Sequence, residues 1–201
     1  MPPALRRRPR NSAVKTNNLI DQIISLRAAK AAPVAAGQIV LAASFRDACA
    51  QNSCGAYGKY WVCPPACGEI EELMVRVRSY DQAILYQSVG HFEDSFDFEG
   101  MITARRAHAT LSRRIEECLG GEFPADHFHL SVGGCDLCTE CTYPEGLPCR
   151  HPDKTLLSLE ACGVDVYQTA KAAGLPYNNG PNTVTYFGLI LFKKPAEKSY
   201  A

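Results

Sequence analysis

Apolar residues recur along the chain with two periods, and together they predict an alternation of helices and strands. In "NLIDQIISLRAAKAA" (18–32), Leu19, Ile20, Ile23, Ile24 and Leu26 gather on one side at helical spacing. "QIVLAASF" (38–45) reads as a short strand or buried segment. After the Pro64-Pro65 stop, "GEIEELMVRVRSY" predicts a helix with acids in its first turn and arginines in its last, as the helix dipole favours. "DQAILYQSV" (81–89) is a strand, and "EGMITARRAHATLSRRIEECLGG" is a long helix closed by Gly120 and Gly121. "DHFHLSVGG" alternates as a further strand. "SLEACGVDVYQTAKAAG" (158–174) predicts a helix from Ser158 as N-cap to Gly174, and "TVTYFGLILF" (183–192) is the most strand-like run of all.

This order predicts an α/β fold: a single domain over 18–201, with a mixed central sheet flanked by helices and cysteine-rich metal-binding loops. Residues 1–17 carry Arg6, Arg7, Arg8, Arg10 and Lys15 without an acid and are expected to form a basic flexible tail. Apolar content of 46% and charged content of 21% describe a folded chain, and the formal net charge is zero. Nothing in that balance attracts nucleic acid or anionic lipid in general, and no apolar run approaches the roughly 20 residues of a membrane span. No secretory segment follows the arginines, so a cytoplasmic location is expected.

Ten cysteines change the picture. Four of them, Cys135, Cys138, Cys141 and Cys149, crowd into "GGCDLCTECTYPEGLPCRHP" (133–152), a Gly- and Pro-rich loop ill suited to a core. C-x2-C-x2-C is too tight for a natural disulfide framework. It is also the opening of the bacterial ferredoxin run, where a fourth cysteine completes a cubane. Here the fourth candidate, Cys149, follows seven residues later across "TYPEGLP", which folds back readily. A [4Fe–4S] cluster is therefore the leading cofactor; a four-thiolate zinc site is the alternative, although zinc usually pairs two separated C-x2-C knuckles. Gly133 and Gly134 suit close backbone approach to sulfide, and Arg150 and His151 offer positive charge beside Cys149.

An earlier group, Cys49, Cys54, Cys63 and Cys67, has the spacing C-x4-C-x8-C-x3-C and matches no common zinc template. A second metal site is expected there, using three or four of these thiols, unless two of them are simply buried. If only Cys49, Cys54 and Cys63 bind, one iron stays open to a substrate. Cys67 lies before a helix start, which favours a thiolate. Tyr57, Tyr60 and Trp61 would shield such a cluster. Cys118 and Cys162 are expected as small buried hydrophobes, and His127 and His129, on one strand face, as satisfied polar packing rather than ligands.

The chain resembles the DUF2284 family of predicted metal-binding proteins. The likeness rests on "YGKYWVCPP" (57–65), the cysteine loop at 133–152, "SLEACGVDVY" (158–167) and "TVTYFGLILF" (183–192), and spans most of the chain from about residue 45 onward. It implies iron–sulfur or other metal binding by Cys135, Cys138, Cys141 and Cys149, with Cys49, Cys54 and Cys63 as a second set. Cys67 departs from the usual family pattern. Three functional readings stand: electron transfer to a redox partner protein or a small-molecule substrate; a non-redox enzyme with an open-iron cluster; and a zinc-stabilised binding module.

Overall fold

The computed structural model describes residues 12–119, 121, 123 and 126–194. Its centre is a five-stranded sheet in the order β1-β2-β5-β3-β4, with β1 at Lys30–Ala35, β2 at Gln82–His91, β3 at Phe128–Ser131, β4 at Leu157–Ser158 and β5 at Thr183–Phe192. The pairs β1–β2, β2–β5 and β5–β3 are antiparallel and β3–β4 is parallel, so the sheet is mixed. β1 forms one edge and carries Pro33 opposite Ile84; two-residue β4 forms the other.

Alternation along the strands gives the sheet two buried faces. On one, Val34, Ala83, Leu85, Phe128, Leu130, Leu189 and Leu191 meet Leu73 and Val77 of α3 (Ile70–Arg78) and the segment holding Leu159, Cys162 and Val164. On the other, Ile84, Tyr86, Ile190 and Phe192 meet Leu19 and Ile23 of α1 (Ser12–Ser25) and Leu111, Ile115 and Leu119 of α4 (Phe98–Leu119). Helix layers thus cover both sides of the sheet, and α2 (Ser44–Ala50) and α5 (Val166–Ala172) complete the set. Tyr86 crosses directly over its strand partner Gly188, where an added Cβ would lie 2.1 Å from the tyrosine ring. Among the described residues no helix is long and apolar enough to cross a membrane.

Several local expectations are corrected. α1 begins at Ser12, so residues 12–17 are helical rather than tail; residues 1–11 lie outside the described residues. That helix stops at Ser25, with Arg27 in the left-handed region (φ 86°), and the alanine-rich continuation pairs as β1 instead. Pro33 lacks the donor a helix needs, and six partners on β2 outweigh alanine's helical preference. The segment 38–45 makes no strand: it holds one isolated bridge, Leu41 to Val164, and runs into α2. The helix expected over 158–174 is broken. Ser158 ends β4, residues 160–162 form a 3-10 turn, and Gly163 takes φ 77° against the Met74 side chain before α5 begins. Ser158 still caps, accepting from the Ala161 amide at 3.0 Å, and Asp165 caps α5 through Gln168. Cys162 is fully buried as expected, whereas Cys118 is exposed on α4.

Candidate metal centre

Strand β3 delivers the chain into the 133–152 loop, and α4 fastens that loop from beside the sheet. Arg105 and Arg113, eight residues apart on α4, share a helix face. Arg105 Nη1 donates to the Gly133 carbonyl at 3.0 Å, and Arg113 Nη1 pairs with Asp136 Oδ1 at 2.7 Å. The return of the loop is internally stitched: Thr142 Oγ1 donates to the Pro148 carbonyl (2.9 Å) and Arg150 Nη1 to the Glu140 carbonyl (2.9 Å).

Cys135, Cys138, Cys141 and Cys149 all line one pocket, with Trp61, Arg150 and His151 among its other walls. The His151 amide donates to Cys149 Sγ at 3.4 Å, and the Leu137 amide donates to the Cys135 sulfur. Burial nonetheless pushes the Cys135 thiol up, so a metal must displace a proton there. The space enclosed by this pocket is about 20 Å³. The four thiols are soft donors on one wall, partly exposed, and chemically suited to iron–sulfur or zinc ligation.

The first group assembles around a larger space. Cys49 lies in the last turn of the short helix α2, and the loop after the helix turns back through the Gly58 amide, which donates to the Pro64 carbonyl at 2.8 Å. Cys49, Cys54 and Cys63 line a cavity of about 330 Å³ together with Phe45, Tyr57 and Glu160. That volume falls at the lower end of small-molecule pockets, roughly 300–1,000 Å³. Burial raises the Cys63 thiol to about 11, with the Gly134 amide and the other thiols of the group as lesser influences. Burial raises Cys49 too, followed by the negative charge of Glu160.

Cys67 stands apart from the residues lining that cavity. It packs against the core, close to Cys162. Burial raises its thiol, and the Arg46 guanidinium pulls in the opposite direction. Arg46 is itself fixed, donating through Nη1 to the Gly68 carbonyl (2.9 Å) and through Nη2 to the Ala161 carbonyl (3.1 Å).

The two cysteine groups meet. Gly134 takes φ 79°, and its amide donates to the Cys63 sulfur, while the next residue, Cys135, belongs to the other group. Cys63 and Cys135 pack in one small cluster with Ala56 and Val62. Gly133 borders the 330 Å³ cavity, and Val62 borders the four-thiol pocket. Trp61, expected as a shield for the first group, crosses to the second: its Nε1 donates to the Leu147 carbonyl at 3.2 Å and its ring meets Tyr143 edge-on at 5.0 Å. Tyr57 remains with the first cavity.

The histidines are occupied elsewhere. His127 Nε2 lies 2.7 Å from Glu116 Oε1, and His129 Nδ1 lies 2.9 Å from Glu116 Oε2. These two hydrogen bonds hold the Glu116 carboxyl well below the usual carboxylate range. The chain continues inward from His129 Nε2 to the Tyr86 hydroxyl (2.7 Å), to Ser112 Oγ (2.7 Å) and to Ser131 Oγ (2.7 Å). Burial keeps His129 neutral, and the Tyr86 hydroxyl donates to Ser112 Oγ, which in turn donates to the His108 carbonyl at 3.0 Å. These are satisfied buried polar groups, as the strand pattern suggested.

Sequence reasoning passed over Arg46, Arg105, Arg113 and Glu160. The eight-residue spacing of Arg105 and Arg113 on one predicted helix was a usable signal; Arg46 and Glu160 meet the cysteines only through tertiary folding.

A family model described as predicted metal-binding protein (DUF2284) matches residues 32–192. No curated protein matches the chain, and no solved structure does.

Proposed function

The chain belongs to the DUF2284 family of predicted metal-binding proteins, and from that premise we propose that it is an iron–sulfur protein with an electron-transfer role. Cys135, Cys138, Cys141 and Cys149 would hold a [4Fe–4S] cluster that relays electrons, and Cys49, Cys54 and Cys63 would hold a second centre facing the 330 Å³ cavity. The observation that carries this reading is the shared wall. The Gly134 amide reaches the Cys63 sulfur, and Cys63 packs with Cys135, so only a few atoms separate the two groups. A relay needs such adjacency, and a purely structural metal clip does not.

The cysteine spacing supports a cluster over one zinc ion, because C-x2-C-x2-C opens the bacterial ferredoxin run, whereas zinc usually takes two separated C-x2-C knuckles. A four-iron cluster takes each thiolate on a different iron and tolerates wider spacing. The pocket these thiols line encloses about 20 Å³, little more than a water-sized guest, so loading would require its walls to move apart. A reducing compartment such as the cytoplasm, with a redox partner protein or a small-molecule substrate, completes the proposal.

The test is anaerobic purification followed by iron, acid-labile sulfide and zinc per chain, with the absorption spectrum. About four of iron and sulfide each supports one cluster, and about eight supports two. Zinc without sulfide refutes the redox reading and leaves a zinc-stabilised module.

A further inference from the structure

We propose that Glu160, rather than Cys67, is the fourth donor of the first cysteine group, giving three thiolates and one carboxylate around the 330 Å³ cavity. The inference rests on the metal reading above and goes beyond it in assigning a residue that no cysteine spacing suggests.

Placement comes first. Cys49, Cys54, Cys63 and Glu160 all line the same cavity, and Cys67 does not. Although Cys67 follows Cys63 by one turn, with its amide donating to the Cys63 carbonyl at 3.2 Å, its sulfur lies with the core, Cys162 and Arg46. Glu160, by contrast, is presented by a rigid platform. Leu159 beneath it is 1% exposed, Ser158 caps the turn through the Ala161 amide, and Arg46 holds the Ala161 carbonyl.

Glu160 also lies near Cys49, a thiol that the Arg46 guanidinium and the Cys67 thiol reach as well. The carboxylate's own nearest helpers are its backbone amide and the Ser158 hydroxyl. The ion pairs among the described residues involve Arg113, His127 and His129, and none reaches Glu160. A metal bound there would neutralise three thiolates and a carboxylate as the thiol protons leave. A carboxylate oxygen is a harder donor than thiolate, so the iron it holds is the one open to exchange. A small oxygen- or nitrogen-donor molecule entering the cavity is the ligand class that would displace it.

Iron and sulfide per chain, with electron paramagnetic resonance of the reduced protein, are compared for wild type, Glu160→Gln, Glu160→Asp, Cys67→Ala and Cys138→Ala, each checked for folding by circular dichroism. The expected result is that Glu160→Gln loses first-centre iron and its resonance, Glu160→Asp keeps most of it, and Cys67→Ala matches wild type. Because Glu160→Asp retains the carboxylate, its recovery separates a lost donor from a disturbed fold. Loss in Cys67→Ala with none in Glu160→Gln overturns the inference, as does wild-type behaviour in both. If wild type carries one cluster and Cys138→Ala removes all of it, the first group holds no iron: this inference fails while the electron-transfer cluster stands. A wild type without iron refutes the underlying reading itself.

Discussion

Acidification from pH 7 to pH 5 is expected to destabilise the fold by about 2 kcal/mol through one side chain, His108. This residue is fully buried on α4, its ring stacked 5.5 Å from Tyr86 and tilted 6.1 Å from Tyr186, with Nδ1 2.7 Å from Ser88 Oγ. Burial, reinforced by His129 nearby, lowers its pKa from 6.5 to about 3. In the unfolded chain the same imidazole is almost wholly protonated at pH 5, while in the folded chain it stays neutral. The unfolded state binds more protons, so stability falls as pH drops below about 6.5 and keeps falling until the folded value is reached. Between pH 7 and pH 5 the loss is RT times the logarithm of the ratio of binding polynomials, about 2 kcal/mol. Any folded pKa below about 4 gives the same figure, because the unfolded pKa sets it. The assay is urea unfolding of wild type and His108→Gln at both pH values. Gln can still accept from Ser88 but does not titrate, and the contributions of Glu116 and His129 cancel in the double difference. A pH-dependent loss in His108→Gln equal to that of wild type would refute the reasoning.

Gly188→Ala is expected to cost about 3 kcal/mol or more in urea unfolding, because the new methyl lies 2.1 Å from the Tyr86 ring and evicts it from its hydrogen bonds. Tyr86→Phe keeps the ring but strands His129 Nε2 and takes one of three partners from Ser112, and should cost about 1–3 kcal/mol in the same measurement. Gly134→Ala meets the Arg105 guanidinium, itself bonded to the Gly133 carbonyl, at 3.3 Å, and its φ of 79° costs about 1–2 kcal/mol. Any backbone shift there moves the amide off the Cys63 sulfur, so iron retention should drop by a larger factor than stability.

The sheet was readable wherever period and length agreed. β2, β3, β5, α3 and α4 carry their patterns in consecutive residues and fall where those patterns placed them. Failures came where a partner distant in sequence decided. The alanine-rich run 28–32 looks helical until β2 captures it from Lys30 onward, and Gly163 interrupts a good helical stretch where Met74 occupies the space a side chain would need. The cysteine loops behaved alike. Spacing identified the groups, yet Cys67 packs on the core while Glu160 lines the cavity, and the two segments are joined by Arg46, which lies 115 residues from the Ala161 carbonyl it holds.

Both margins of the sheet are poor templates for another strand. At β1 the proline ring removes a backbone donor from the outer rim, and β4 offers only two residues before the chain turns away. A ladder added from outside would find a gap on one side and a stub on the other. The fold thereby resists growing into fibrils or sheet-paired dimers, which leaves recognition of any other molecule to its loops and helix faces.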